Sequence, residues 1–229
     1  MKLHVINSGS SRNCYLLTDS DQNTLIVEFG KGTFDEAIKV IPDVSKIRGA
    51  IYSHKHLDHF GDSDKLEKYR IPIWTANHAE QCNIPGAENY PFSFIPLAVE
   101  HDPGVDCFAY FIRSNVEGKA LFFATDCYNY SRIIDALPEP LSLVMVEVNH
   151  DAHLLDTGKY PADLKERVRR SHCSVQRASL AIQRAKCTRF VLVHPSDNNL
   201  DQEAALKYFR DGFPNRSFQF AKPGLVVEF

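Results

Sequence analysis

Apolar positions along the chain fall into short runs rich in β-branched and aromatic residues: KLHVI (2–6), NCYLLT (13–18), NTLIVEFG (23–30), GAIYS (49–53), PIWTA (72–76), FSFIPLAVE (92–100), FAYFIRS (108–114), ALFFAT (120–125), LVMVEV (143–148), RFVLVH (189–194) and GLVVEF (224–229). Runs of this length and composition predict strands. Between them lie stretches with apolar residues at helical spacing: TFDEAIKVIPD (33–43), GDSDKLEKY (61–69), YSRIIDAL (130–137), the long PADLKERVRRSHCSVQRASLAIQRAK (161–186) and DQEAALKYFRD (201–211). Strands and helices interleave from end to end, which predicts two sheets flanked by helices in one domain over residues 1–229, an α+β chain. No internal repeat or low-complexity tract interrupts the pattern. The nearest candidate for an insert is QCNIPGAENYP (81–91).

One segment departs from the alternation. In GAIYSHKHLDHFGD (49–62) a buried-strand pattern ends at Ser53, and the residues that follow are three histidines and two aspartates within nine positions. A loop at a strand end is a usual place for function. His54 and His56 are two apart and share a face if the backbone stays extended, while Asp58 and His59 follow after the chain turns. Four ligands can then aim at two adjacent points. Imidazole and carboxylate suit zinc, manganese or iron, and incomplete protein coordination leaves room for water. The same arrangement, an apolar run closed by a polar ligand, recurs three times: His101 follows FIPLAVE, Asp126 follows ALFFAT and His194 follows RFVLV. A carboxylate between two metals can bridge them and help turn the shared water into hydroxide near neutral pH, and Asp126 fits that role best.

Charge and cysteine content narrow the setting. A formal net charge of −3 gives no global attraction to nucleic acid, so an anionic substrate must be held by local positive charge. The six cysteines have no C-x-x-C spacing, which speaks against a thiolate zinc site and a disulfide framework. No apolar run approaches the roughly 20 residues of a membrane-spanning helix, and MKLHVINSGSS has no signal-peptide core. A cytoplasmic protein without membrane partners is expected.

The HKHLDH segment (54–59), with its strand-end partners, resembles the H-x-H-x-D-H signature of the metallo-β-lactamase-fold superfamily, and the resemblance runs the length of the chain. It implies a four-layer αββα sandwich with the metal site at one edge of the two sheets. It also implies that His54, His56 and His101 hold one divalent metal, that Asp58, His59 and His194 hold a second, and that Asp126 bridges them. Both ions could be Zn2+ or Mn2+. SGSSRNCYLL (8–17), VNHDAHLLDTGKYPADLKERVRRSH (148–172) and LVHPSDNN (192–199) narrow the likeness to a small bacterial and phage exonuclease-like branch, related to the exonuclease encoded beside a cell-wall two-component system. Against that branch, Arg12 stands where glycine is common, Glu28 replaces an aspartate whose hydrogen bonds lie behind the ligands, and Cys127 follows Asp126 where a small residue or leucine is commoner. All seven expected ligands are intact.

The implied activity is hydrolysis of a phosphodiester in nucleic acid or a nucleotide by hydroxide between the metals. Asp58 and Asp126 serve at the metals, and His172, at a position where related nucleases place a histidine facing the scissile phosphate, is the proton donor. Lys165, Arg167, Arg169 and Arg170 precede it, and a helix spreads them so that only one or two can face the site. Ser10, Asn13, His150 and Asn198 are expected to contact substrate alongside His172. Alternatives are a cyclic-nucleotide phosphodiesterase, including a phage anti-defence enzyme, a thioester or lactone hydrolase, and a binding module with a degenerate site. A homodimer is compatible with the sequence.

Overall fold

The computed structural model describes residues 1–74, 90–137 and 140–229. His78 and all but the last two residues of the candidate insert at 81–91 lie outside the described residues. Among the described residues, twelve strands form two sheets. The first has the order β12 (Val226–Glu228), β1 (Lys2–Asn7), β2 (Cys14–Thr18), β3 (Thr24–Phe29), β4 (Ile47–Ile51) and β5 (Ile73–Trp74). The second has the order β11 (Ser217–Phe220), β10 (Arg189–Val193), β9 (Leu143–Glu147), β8 (Ala120–Ala124), β7 (Cys107–Ser114) and β6 (Phe92–Val99). Each of the eleven apolar runs overlaps one of these strands, with β1, β4 and β7 reaching beyond theirs. The exception is β11, SFQF, whose two apolar residues are too few to stand out.

Side-chain alternation sorts residues into layers, because successive residues of a strand face opposite sides of the sheet. In β10, Val191 and Val193 enter the core between the sheets, while Phe190 and Leu192 face the outer side. The inter-sheet core joins Leu3, Val5, Tyr15 and Val27 of the first sheet to Tyr110, Ile112, Phe123 and Met145 of the second. Outside the second sheet, α4 (Ser131–Asp135), α7 (Val175–Arg184) and α8 (Gln202–Gly212) bury Ile134, Ala178, Ile182, Leu206 and Phe209 against Phe122, Val144 and Phe190. Outside the first sheet, α1 (Phe34–Val40) and α3 (Ser63–Lys68) bury Phe34, Ala37 and Leu66 against Leu16, Ile26 and Ala50. Each buried aromatic or leucine contributes about 1.5–3 kcal/mol of transfer free energy. The result is an αββα sandwich.

Two features of the topology position the site. Strands β3 to β5 run parallel, as do β8 to β11. In parallel sheets the carboxyl ends of strands are where ligand-binding residues gather, and β3, β4, β8, β9 and β10 deliver Glu28, His54, Asp126, Glu147 and His194 there. The second feature is a break in the long helical pattern at 161–186. It forms two helices, α6 (Ala162–Ser171) and α7, separated by His172 to Ser174 in extended conformation. The break has a tertiary cause: the amide of Cys173 donates to Glu147, its carbonyl accepts from Asn149, and the amide of Val175 donates to His150. These bonds to the end of β9 replace helical ones. Ser174 then caps α7 by accepting from the Arg177 amide.

Candidate metal centre

His54 follows β4 after Tyr52 and Ser53, and the chain bends at Lys55 and His56 before the single helical turn α2 (Leu57–Phe60). That geometry brings His54 Nε2 within 2.8 Å of His56 Nδ1. His101 joins them from beyond β6, its ring centroid 4.7 Å from that of His54 and 5.3 Å from that of His56. Its Nδ1 lies 3.1 Å from the Ser171 carbonyl oxygen. A carbonyl can only accept, so Nδ1 carries the proton and Nε2 offers a lone pair. That buried Nε2 has no hydrogen-bond partner. Burial, reinforced by the neighbouring His59, pushes the His54 imidazole down to about 2, and burial together with His101 lowers His56 as well. Neutral imidazoles with converging lone pairs are what a metal ion requires.

The second cluster lies alongside. His59 Nε2 is 3.0 Å from Asp58 Oδ2 and 3.1 Å from Asp126 Oδ2, and His194 Nε2 is 3.4 Å and 3.5 Å from the same two oxygens. Asp126 also lies within 4.8 Å of His54 through their ligand atoms, so its carboxylate sits between the two groups. Behind the cluster Glu28 accepts from the Ser53 amide and lies 3.1 Å from His59 Nδ1. Glu28 occupies a bulge in β3, where Tyr15 pairs with Val27 and Cys14 with Phe29. Its φ of 62° is left-handed, as are those of Asp126 (49°) and His194 (54°). Such conformations in non-glycine residues persist only where the surroundings hold them, and they concentrate at functional sites.

Four carboxylates, those of Glu28, Asp58, Asp126 and Glu147, converge here, and the ion-pair partners found for them are histidines. Burial opposes ionisation of Asp126, but His194 and His59 outweigh it and hold the carboxyl well below its ordinary range. Asp58 is lowered in the same way, burial being overcome by hydrogen bonds from His194 and His59. Burial works against the His59 imidazolium, yet Asp126 and Glu28 outweigh it and raise the group well above its ordinary value, so a divalent cation among these ionised carboxylates would take the place of the protons that the histidines hold toward them. The residues present therefore fit a metal site, with His54, His56 and His101 as one group and Asp58, His59 and His194 as another.

Glu147 is the functional candidate that pattern reading missed, because it stands inside the apolar run LVMVEV, whereas Asp126 follows the run ALFFAT. It is fully buried, accepts from the amides of Cys127 and Cys173, and holds His172 Nδ1 at 2.7 Å. His172 Nδ1 is also 3.3 Å from Asp126 Oδ1. Burial works against the His172 imidazolium, yet Glu147 and Asp126 outweigh it and push the group up to about 9.

A cleft of about 330 Å³ opens over this cluster. Ser10, His56, Asp58, His101, Asp126, His172 and His194 all reach it. Three expected substrate contacts lie elsewhere. Asn13 is fully buried, exchanging hydrogen bonds with the Gly9 backbone and lying 3.4 Å from His59, so it holds the loop. His150 is buried beside Ser174 and its Nδ1 has no hydrogen-bond partner. Asn198 donates to the Tyr160 hydroxyl at the surface, while its neighbours Ser196 and Asn199 line the cleft. Of the basic run, Arg167 lines the cleft, Arg169 pairs with Asp156 and Glu166, and Lys165 donates to the Asp156 carbonyl. Arg12 pairs with Glu36 at 2.7 Å.

Comparison with known proteins agrees with this geometry. Exodeoxyribonuclease YycJ of Bacillus anthracis is 28% identical over 235 aligned residues, covering 90% of this chain and 88% of that protein. The metallo-β-lactamase-fold protein YhfI of Bacillus subtilis superposes with a TM-score of 0.74 at 20% identity, over 99% of both chains. The short form of human tRNase Z gives a TM-score of 0.65 at 15% identity, over 100% of this chain and 99% of that one. Residues 8–122, half of the chain, match the metallo-β-lactamase superfamily domain. The chain belongs to the metallo-β-lactamase superfamily and is a metal-dependent hydrolase.

Proposed function

We propose that residues 1–229 act as one catalytic unit that hydrolyses phosphodiester bonds in nucleic acid, working from chain ends as an exonuclease. His54, His56 and His101 would hold one divalent ion, Asp58, His59 and His194 a second, with Asp126 shared between them; zinc and manganese both suit these donors. When bound, the ions supply Lewis acidity and an activated water. The observation that carries the phosphodiester reading is His172, held by Glu147 at 2.7 Å beside the donor cluster and open to the same cleft as Arg167. With Nδ1 engaged by Glu147, the imidazolium keeps Nε2–H as its remaining donor. That proton suits the departing oxygen, whose charge is otherwise unfavourable in a site rich in carboxylates. Arg167 lines the cleft, and a guanidinium suits a phosphate oxygen. The name of the Bacillus anthracis relative supports the same reading.

The test is hydrolysis of 5′-labelled single- and double-stranded DNA, RNA and cyclic nucleotides by protein loaded separately with Zn2+ and Mn2+, with Asp126→Ala as the blank. Stepwise loss of label from polymer, absent in the variant, is expected. Turnover of cyclic nucleotides alone would replace the exonuclease with a small-molecule phosphodiesterase.

A further inference from the structure

A second cavity, of about 730 Å³, adjoins the cleft and shares His101, Asp102 and Arg167 with it. Beyond this shared wall it is lined by Tyr128 and Arg170. Three observations give it the character of a nucleotide pocket. First, Arg177 places its guanidinium 3.5 Å above the centroid of the Tyr128 ring and is itself tied to the Arg169 carbonyl. This stack covers one face of a ring that also lines the cavity, within reach of a planar ligand bound there. Second, Arg167 has no side-chain partner among the described residues and stands at the junction of cleft and cavity, while Arg170 is held only at 3.6 Å by exposed Glu166. Third, Glu100 and Asp102 also line the cavity, and their carboxylates accept hydrogen bonds from amino groups and repel phosphate. The phosphate is therefore directed to the α6 side.

We infer that this cavity binds the nucleotide next to the scissile phosphate, with its base stacked on Tyr128 and its phosphate between Arg167 and Arg170. The inference rests on the phosphodiesterase reading for the identity of the neighbouring bond, and it narrows the substrate. A base can lie on Tyr128 only when it is not paired and stacked in a duplex, so the strand that enters the site is single.

The test is a binding cycle. A fluorescent, non-hydrolysable phosphorothioate oligonucleotide is titrated with the metal-loaded protein, and with Tyr128→Ala, Tyr128→Trp and Arg167→Ala. The same titrations are repeated with an abasic residue at the terminal positions and with a blunt duplex. Tyr128→Ala should weaken binding of the intact single strand at least fivefold, the lower end of what one stacked base contributes. Tyr128→Trp should restore it, and the penalty should vanish on the abasic strand, as it does when ring and base act on each other. Arg167→Ala should weaken both strands and flatten the salt dependence by about one phosphate contact. Equal binding of single strand and duplex, or a Tyr128→Ala penalty that persists on the abasic strand, overturns the inference. Cleavage without Tyr128-dependent binding would remove the pocket and leave the proposed function standing. Tyr128-dependent binding without cleavage of any phosphodiester would do the reverse.

Discussion

The contact between Glu147 and His172 separates two roles that one residue could have. Glu147, His172, Asp126 and His194 have ligand atoms within 4.8 Å of one another, so His172 could hold an ion or carry a proton. The 2.7 Å bond to a carboxylate that also takes two backbone amides favours the proton. His172→Ala is then expected to lower kcat by about 10²–10⁴-fold, the range for a general acid, with the metal content of the purified protein unchanged. Glu147→Gln should lower kcat in the same direction, because the neutral amide no longer favours the imidazolium. Loss of an ion from His172→Ala, measured by elemental analysis, would make it a ligand instead. The histidines and aspartates were legible at this scale because each closes an apolar run or belongs to a dense cluster. Glu147 was not, since it reads as one polar position inside a buried strand. Asn13 and His150 share the polarity of a contact residue, yet sequence cannot tell a buried polar side chain that holds a loop from one that faces a cleft.

Among the elements, three loops meet behind the cluster at one glycine. The Gly30 amide donates to the Asn13 carbonyl, and the Asn13 amide donates to the Asp58 carbonyl. A Cβ on Gly30 would lie 2.2 Å from the Asp58 carbonyl oxygen and 2.9 Å from the Asn13 nitrogen. Gly30→Ala must therefore push the Asp58 turn away, and a metal affinity at least tenfold weaker is expected in a competition titration with a chelator. The helix α5 (Ala152–Thr157) gives a second element-scale prediction. Asp151 caps it by accepting from the amides of His153 and Leu154, and accepts from Gln176 of α7 as well. Partial burial opposes its ionisation, but the Gln176 bond and the two amides outweigh it and lower the carboxyl below its ordinary value. A lowered carboxyl stabilises the fold fully above the unfolded value of about 3.8 and less as pH falls through the folded value. Asp151→Ala should cost about 1 kcal/mol in denaturant unfolding at pH 7, and the gap between variant and parent should shrink below about pH 4. The short helices α2 and α5 escaped the hydrophobic pattern because the residue that α2 buries is a histidine, His59, and α5 buries Leu155 alone, with its neighbour Leu154 exposed. The break at His172 escaped it for another reason: Glu147 and His150 capture the backbone there, and both are distant in sequence.

At the scale of the whole molecule, the site is where the two sheets meet. His54 and His59 come from the first sheet's side, Asp126, Glu147 and His194 from the second, and the apolar core between the sheets fixes their separation. Two sheets flanked by helices were legible in the interleaving of strand and helix patterns, and the αββα order in the family resemblance, whereas the pairing order within a sheet depends on crossovers that no local pattern records. Four converging carboxylates are costly to bury without cations, so metal removal should destabilise the fold as well as silence it. Stripping the ions should lower the melting temperature by roughly 5–10 °C, the amount that a ligand at about 100 times its Kd contributes in a chain of this size. Among the described residues no helix is long and apolar enough to cross a membrane. The donor cluster would take two divalent ions to hydrolyse phosphodiesters at nucleic-acid ends. This is tested by titrating stripped protein with Zn2+ or Mn2+ while following release of label from 5′-labelled single-stranded DNA. Stepwise release is expected to rise to a plateau at two equivalents of metal and to be absent in Asp126→Ala. Folded, metal-loaded protein that releases no label and cleaves no other phosphodiester would contradict it.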